Sequence, residues 1–330
     1  MIATWIRDRN GSYYINQAQR YVKGAIFVPQ DEPIITPAAV IAGGTTSPGE
    51  SPAQIIDSPE DALSEIFSFT GEHDAGDPVA VQQRLRVQIT DVAWRRRLMN
   101  QPVLANHVFG GRLIADGIQP FRALESILLE SQQTMIFNFF NWSNDAPSNF
   151  RMALEGRKFQ ASAMLNKKVT NHIDASRIRK RYLQPYWLTS NQDITVPAGG
   201  TVDAFFQNSR DNYNMLFRLM ATAITTGAAG DTQEVFAFQI FDAVTERPLQ
   251  NTPVTMTTGT GTSAFPFNLT TPICMDPATI LRIRITNLIT DQPTEIYLTF
   301  NGVAAYVGAE QMSVRPPEIA PPGAFYIGSP

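Results

Sequence analysis

Chemistry first needs imidazoles, thiols and paired carboxylates, and this sequence holds few of the first two: His73, His107, His172 and one cysteine, Cys274. The histidines lie in three separate regions, with no H-x-H, H-E-x-x-H or H-x₃-H spacing, so the clustered ligands of a cupin-type metal centre are missing. One cysteine excludes an internal disulfide framework and any Cys-based zinc site, and the thiol reads as a small core residue. No G-x-S-x-G elbow positions a serine for Ser-His-Asp hydrolysis. Phosphate loops of the G-x-x-x-x-G-K-[ST] or G-x-G-x-x-G kind are likewise missing, and the GTGT of residues 259–262 reads as a flexible turn. Asp91 and Asp242 remain, and two carboxylates flanking a bond are what a β-sandwich glycosidase uses. They recur at matching strand ends, however, where an Asp side chain accepts from backbone amides two residues on, so a turn role is expected. The expectation is a non-enzyme without cofactor or metal.

Charge provides the next signal. Residues 1–150 hold 11 basic and 16 acidic side chains, residues 151–181 hold 9 and 2, and residues 182–330 hold 6 and 12. Two acidic lobes therefore flank a basic connector carrying Lys167, Lys168, Arg177, Arg179, Lys180 and Arg181. A nucleic-acid binder normally presents a basic face over the whole domain, so a strap against an acidic neighbouring subunit is favoured over nucleic acid. A second basic run, Arg95-Arg96-Arg97, stands beside Trp94.

The elements that position these residues come in two copies. QITDVAWRRRLMNQPV, residues 88–103, aligns without gaps with QIFDAVTERPLQNTPV, residues 239–254, and half of the sixteen positions are identical. Among the identical pairs are Asp91/Asp242, Asn100/Asn251 and Pro102/Pro253. Downstream the offset falls from 151 to 146, pairing Pro120-Phe121 with Pro266-Phe267, Asn141 with Asn287 and Gly156 with Gly302. A shift of five residues belongs in a surface loop, which is where a duplicated domain tolerates it. At equivalent loops Arg95-Arg96-Arg97 faces Glu246-Arg247-Pro248, so the two lobes are expected to meet different neighbours.

Each copy reads as strands. Residues 279–287, TILRIRITN, alternate apolar and polar residues at period two, and residues 234–242, EVFAFQIFD, form a β-rich run. LITDQPTE and WSNDAPSN are hairpin turns, and Pro-Ala-Gly-Gly at residues 197–200 is a sandwich-edge turn. Helix is expected only over 58–67, where Ser-Pro-Glu-Asp resembles a capped start, and over 161–180. Composition agrees: 43% hydrophobic, 17% charged, with 20 Phe against 9 Tyr and 4 Trp. Low charge fits a protein with large contacts. No apolar run of about 18 residues crosses a bilayer, and the first residues lack a secretory apolar core.

The fold class is thus mainly β, two tandem duplicated antiparallel β-sandwich, jelly-roll-like domains with a basic connector and extended arms. The expected organisation is an N-terminal arm and first strands at 1–60, a first sandwich at 61–160, the connector at 161–181, a second sandwich at 182–308 and a Pro-rich arm at 309–330. In that arm Phe325 and Tyr326 are expected anchors on a neighbour. The signature QI-x-D, R-x-L-x-N-x-P-V, PF, a strand ending in Asn and a strand ending in Gly resembles β-sandwich virion proteins of tailed bacteriophages. That resemblance implies a head decoration (cement) protein or a neck or tail component in the virion, made in the host cytoplasm. Its partners would be capsid or portal subunits and copies of itself, with a trimer as one assembly and no membrane. A double jelly-roll major capsid protein is the second reading. A carbohydrate- or receptor-binding module is the third, with Trp94, Trp142 and Trp187 as possible sugar platforms.

Overall fold

The computed structural model describes residues 30–35, 39–41, 49–50, 53–58, 60, 62–73, 84–110, 112–113, 117–118, 120–142, 148–160, 171–172, 174, 183–225, 234–263, 265–306 and 325–327. The first unit begins with β1 (Gln30–Ile35), β2 (Ala39–Ile41), β3 (Gly49–Glu50), β4 (Gln54–Asp57) and β5 (Ala62–His73). It continues through β6 (Leu85–Asp91), β7 (Arg96–Arg97), β8 (Val103–Leu104), one helical turn α1 (Ala105–Val108), β9 (Arg112–Leu113) and β10 (Gly117–Ile118). It ends with β11 (Phe121–Leu129), β12 (Thr134–Asn141) and β13 (Ser148–Gln160). The second unit is built of β14 (Leu183–Thr189), β15 (Ile194–Val196), β16 (Thr201–Gln207), β17 (Asn212–Thr225), β18 (Phe236–Asp242), β19 (Val254–Thr255), the turn α2 (Met256–Gly259), β20 (Phe267–Met275), β21 (Ile280–Asn287) and β22 (Thr294–Tyr306). A last strand, β23 (Phe325–Ile327), follows.

Pairing shows that the duplication extends over each whole unit. One sheet of the first unit runs β1-β13-β5-β11, with β2 also on β13; the other runs β3-β12-β6-β7, with β4 on β12 and β8 on β6. The second unit repeats this as β14-β22-β17-β20, with β15 on β22, and β16-β21-β18-β19. Taking β1/β2, β3/β4, β7/β8 and β14/β15 each as one interrupted strand, and setting aside the separate β9-β10 pair, both units have eight strands in the orders 1-8-3-6 and 2-7-4-5. That is a jelly roll, two Greek keys closed face to face. The chain is a tandem double jelly roll.

Alternation drives burial. Met135, Phe137 and Phe139 of β12 and Leu281, Ile283 and Ile285 of β21 all point inward. The repeated glycine has a steric cause. Phe67 and Phe217 each form a bulge, after which Gly156 pairs with Ile66 and Gly302 with Leu216. A Cβ on Gly156 would lie 2.3 Å from the Glu65 carbonyl oxygen, and one on Gly302 would lie 1.9 Å from that of Met215.

Two expectations are corrected. Residues 58–67 are not a helix: β5 starts at Ala62 and is the inner strand between β13 and β11. Ser58 spends its backbone N–H on Gln133 and its carbonyl on Gln132, so tertiary pairing overrides a local cap signal. The GTGT segment is an ordered site: Gly259 closes α2 against Phe238, and Gly261 bridges Met220 as Gly110 bridges Thr70 in the first unit. The expected helix over 161–180 lies outside the described residues except for helical residues 171, 172 and 174.

Candidate functional site

The surface with the most built-in chemistry is the seam where the first jelly roll meets the outer face of the β14-β22-β17-β20 sheet. Trp187 crosses it. This β14 residue is fully buried in the first unit's core, edge-on to Phe69 at 5.9 Å and 5.8 Å from Phe121, while its neighbours Tyr186 and Leu188 belong to the second core. Asn100, from the loop after β7, clamps the next part of the same strand. Its Nδ2 donates to the Thr189 carbonyl at 2.8 Å and its Oδ1 accepts the Thr189 N–H at 2.9 Å. His107 on α1 holds the centre, with Nδ1 2.8 Å from Thr299 Oγ1 and Nε2 2.9 Å from Thr222 Oγ1. Burial pushes its pKa down to about 3, so the ring is neutral and gives each hydroxyl one complementary nitrogen. At the far end Arg84 pairs with Glu295 at 2.9 Å, and Arg86 pairs with Asp193 while lying 3.6 Å over the Trp142 ring.

At the other end the seam opens into a cavity of about 740 Å³ lined from both units. The first unit contributes Trp94, Arg95, Arg96, Arg97, Asn100 and Gln101, and the second contributes Gln207, Asn208, Arg210, Asp211, Asn212 and Tyr306. Arg95 is held at φ 52, the left-handed value that Glu246 repeats at φ 58, which keeps the two loops alike despite opposite charges. Arg96 lies 4.1 Å from the Tyr306 ring centre and 5.3 Å from that of Trp94, and the Tyr306 hydroxyl donates to the Arg97 carbonyl at 2.9 Å. Arg95 and Arg97 are exposed.

Other sequence-singled residues fall elsewhere. Lys167, Lys168, Arg177, Arg179, Lys180 and Arg181 lie outside the described residues. Phe325 and Tyr326 pair by backbone with Ile273 and Cys274, parallel, at the outer edge of the chain's own second unit. Asp91 accepts the Trp94 N–H at 3.3 Å and Asp242 the Val244 N–H at 2.9 Å, the turn role that the repeat pointed to. None of Trp94, Trp142 and Trp187 offers a bare ring to a sugar, since Arg96 and Arg86 lie over the first two and the third is buried. Cys274 is buried, as a core thiol should be.

Sequence reasoning missed one further cluster. Glu65, buried in β5, accepts Ser126 Oγ at 2.7 Å and lies 3.1 Å from His172 Nε2. Burial alone would raise its pKa, but the His172 hydrogen bond and charge, with Ser126 and Arg157, outweigh it and hold the carboxyl below its usual 4.5. A nucleophilic triad places the imidazole beside the hydroxyl; here the carboxylate stands between them, so the arrangement ties residue 172 onto the first sheet. Among the described residues no group of three or more His, Cys, Asp or Glu could hold a metal, and no helix is long and apolar enough to cross a membrane.

No protein-family model matches the chain, and no curated protein matches it. Solved structures similar to it include one of Sulfolobus Turreted Icosahedral Virus, at 10% identity and a TM-score of 0.43, covering 88% of this chain and 95% of that one. Another is a triple jelly-roll and turret assembly of an archaeal virus, at 11% identity and 0.22, covering 84% and 60%. A third is the VP2 subviral particle of infectious bursal disease virus, at 7% identity and 0.23, covering 86% and 43%. The jelly-roll assignment rests on the strand order of this chain itself.

Proposed function

We propose that this chain is a structural subunit of a virus particle, a double jelly-roll shell protein that assembles by repeating between chains the contact that joins its own two units. One comparison carries the reading. Phe121 is 1% exposed beneath Trp187, whereas its repeat partner Phe267 is 38% exposed, next to Phe265 at 62%. Asn100 clamps an edge strand, whereas its partner Asn251 stands exposed. The second unit thus carries the same docking surface as the first with Phe265, Phe267 and Asn251 left exposed and, among the described residues, only β23 added along the Ile273–Met275 end of β20, and exposed apolar clusters of this kind mark contact sites.

Head-to-tail reuse of one contact gives a closed ring when the rotation closes. Three chains would place six jelly rolls in that ring. The bacteriophage resemblance favours a decoration, neck or tail component; two complete eight-stranded units with a shared seam favour a shell subunit, and copies of this chain are then its main partners. Light scattering of purified protein, alone and with Phe267→Asp and Asn251→Ala combined, tests this. A trimer or larger ring that the variant converts to folded monomer is expected. A wild-type monomer at every concentration, or a ring indifferent to the variant, overturns the proposal, and binding to a glycan panel by that monomer would favour a receptor-binding module.

A further inference from the structure

β23 is an addition that neither jelly roll needs. Each unit has its eight strands without it, and in the first unit the matching edge, β11, carries no added strand among the described residues. β23 pairs with β20 alone, setting Phe325, Tyr326 and Ile327 beside Ile273, Cys274 and Met275. Among the described residues it forms the one parallel strand pairing of the chain. The edge it occupies belongs to the strand that also carries Phe267, on the docking surface left exposed.

The arm that delivers β23 is longer than the chain's own sheet requires. Register sets Phe325 in the row of Gly302, three strands across from β22. With strands about 4.8 Å apart and a rise of about 3.4 Å per residue, that point is about 20 Å from Tyr306, where β22 ends. Residues 307–324 can span up to about 60 Å at about 3.3 Å per residue. Pro316, Pro317, Pro321 and Pro322 are residues that favour extended chain over a compact return.

We infer that β23 is an exchange strand: in the assembled protein the β20 edge of each chain takes residues 325–327 of a second copy, in the same parallel register. The inference rests on the proposed assembly of copies through the exposed surface around β20. Exchange replaces each β20–β23 pairing by an identical one, so no contact is lost, and swapped elements are a low-cost way of joining copies for that reason. Among separate chains the chain's own strand wins, because its tether holds it at an effective concentration of about millimolar. Once a second copy is docked beside β20, that copy's strand is tethered there as well, and the advantage is gone.

Cys274 supplies the test. It is the sole cysteine and sits opposite Tyr326, and adjacent strands lie within the Cα separation of about 4.4–6.8 Å that a disulfide accepts. A full-length donor, Cys274→Ala with Tyr326→Cys, is mixed with the native chain, oxidised with diamide and run on a non-reducing gel, while light scattering of the same mixture gives the assembly mass. Cys274 is 1% exposed, so random collision does not form the mixed disulfide. Expected is a reductant-sensitive covalent dimer holding a share of the native chain that approaches half, and its loss when both chains also carry Phe267→Asp and Asn251→Ala. Tyr326→Cys alone, in dilute solution, should close a disulfide within one chain; its failure to close would refute the pairing and the inference with it. A ring without the mixed disulfide overturns strand exchange and leaves the assembly reading standing. A mixed disulfide without a ring keeps the exchange and overturns the ring, and the absence of both products overturns both.

Discussion

Replacing His107 tests the seam where its chemistry is sharpest. The ring is 1% exposed and bonds Thr222 and Thr299 of the other unit. His107→Ala removes two hydrogen bonds, each contributing about 1 kcal/mol net, and leaves a cavity in the packed seam, so a loss of about 3 kcal/mol is expected. Protonation reaches the same site without mutation. The unfolded imidazole titrates near 6.5 and the folded one near 3, so the folded state binds the proton less readily. Stability from this group is therefore complete above pH 6.5 and falls as pH drops toward 3, at about 1.4 kcal/mol per pH unit and on the order of 4–5 kcal/mol in all. The informative control is His107→Gln, which keeps one donor and one acceptor but cannot titrate. Urea unfolding followed by tryptophan fluorescence, with Trp187 in the seam as reporter, should show a steeper decline between pH 6 and pH 4 for the native chain than for the Gln variant. Parallel pH profiles for the two proteins would refute the reasoning.

Other consequences follow from the same structure. Glu65→Gln should cost about 3 kcal/mol by breaking a buried pair; because the folded Glu65 pKa lies below 4.5, its stabilisation holds above that pH and is lost below it, and the variant should lack this acid transition in a melting-temperature series. Gly302→Ala drives a methyl group into the Met215 carbonyl, and overpacking of more than about 2 kcal/mol should lower the melting temperature by several degrees; an unchanged melt would show that the bulge can relax. Truncation after Gly308 removes β23 from the edge of β20, so hydrogen exchange at Ile273–Met275 should quicken, and unaltered protection there would sink the pairing.

The duplication, the mainly β class and the turn aspartates were legible in the sequence because each depends on local order. Period-two alternation decides which residues a strand buries, and an Asp reaches amides two residues on wherever the turn occurs. The capped-helix reading of 58–67 failed for the same reason: a local cap signal carries no knowledge of the two strands that flank β5. The seam had no local pattern at all. His107 meets partners 115 and 192 positions away, and Trp187 of one unit completes the core of the other. Repeat comparison named Asn100 with Asn251 and Phe121 with Phe267 as equals. Only the tertiary structure showed that one of each pair is spent inside the chain and the other left exposed, because burial depends on which surfaces the fold brings together.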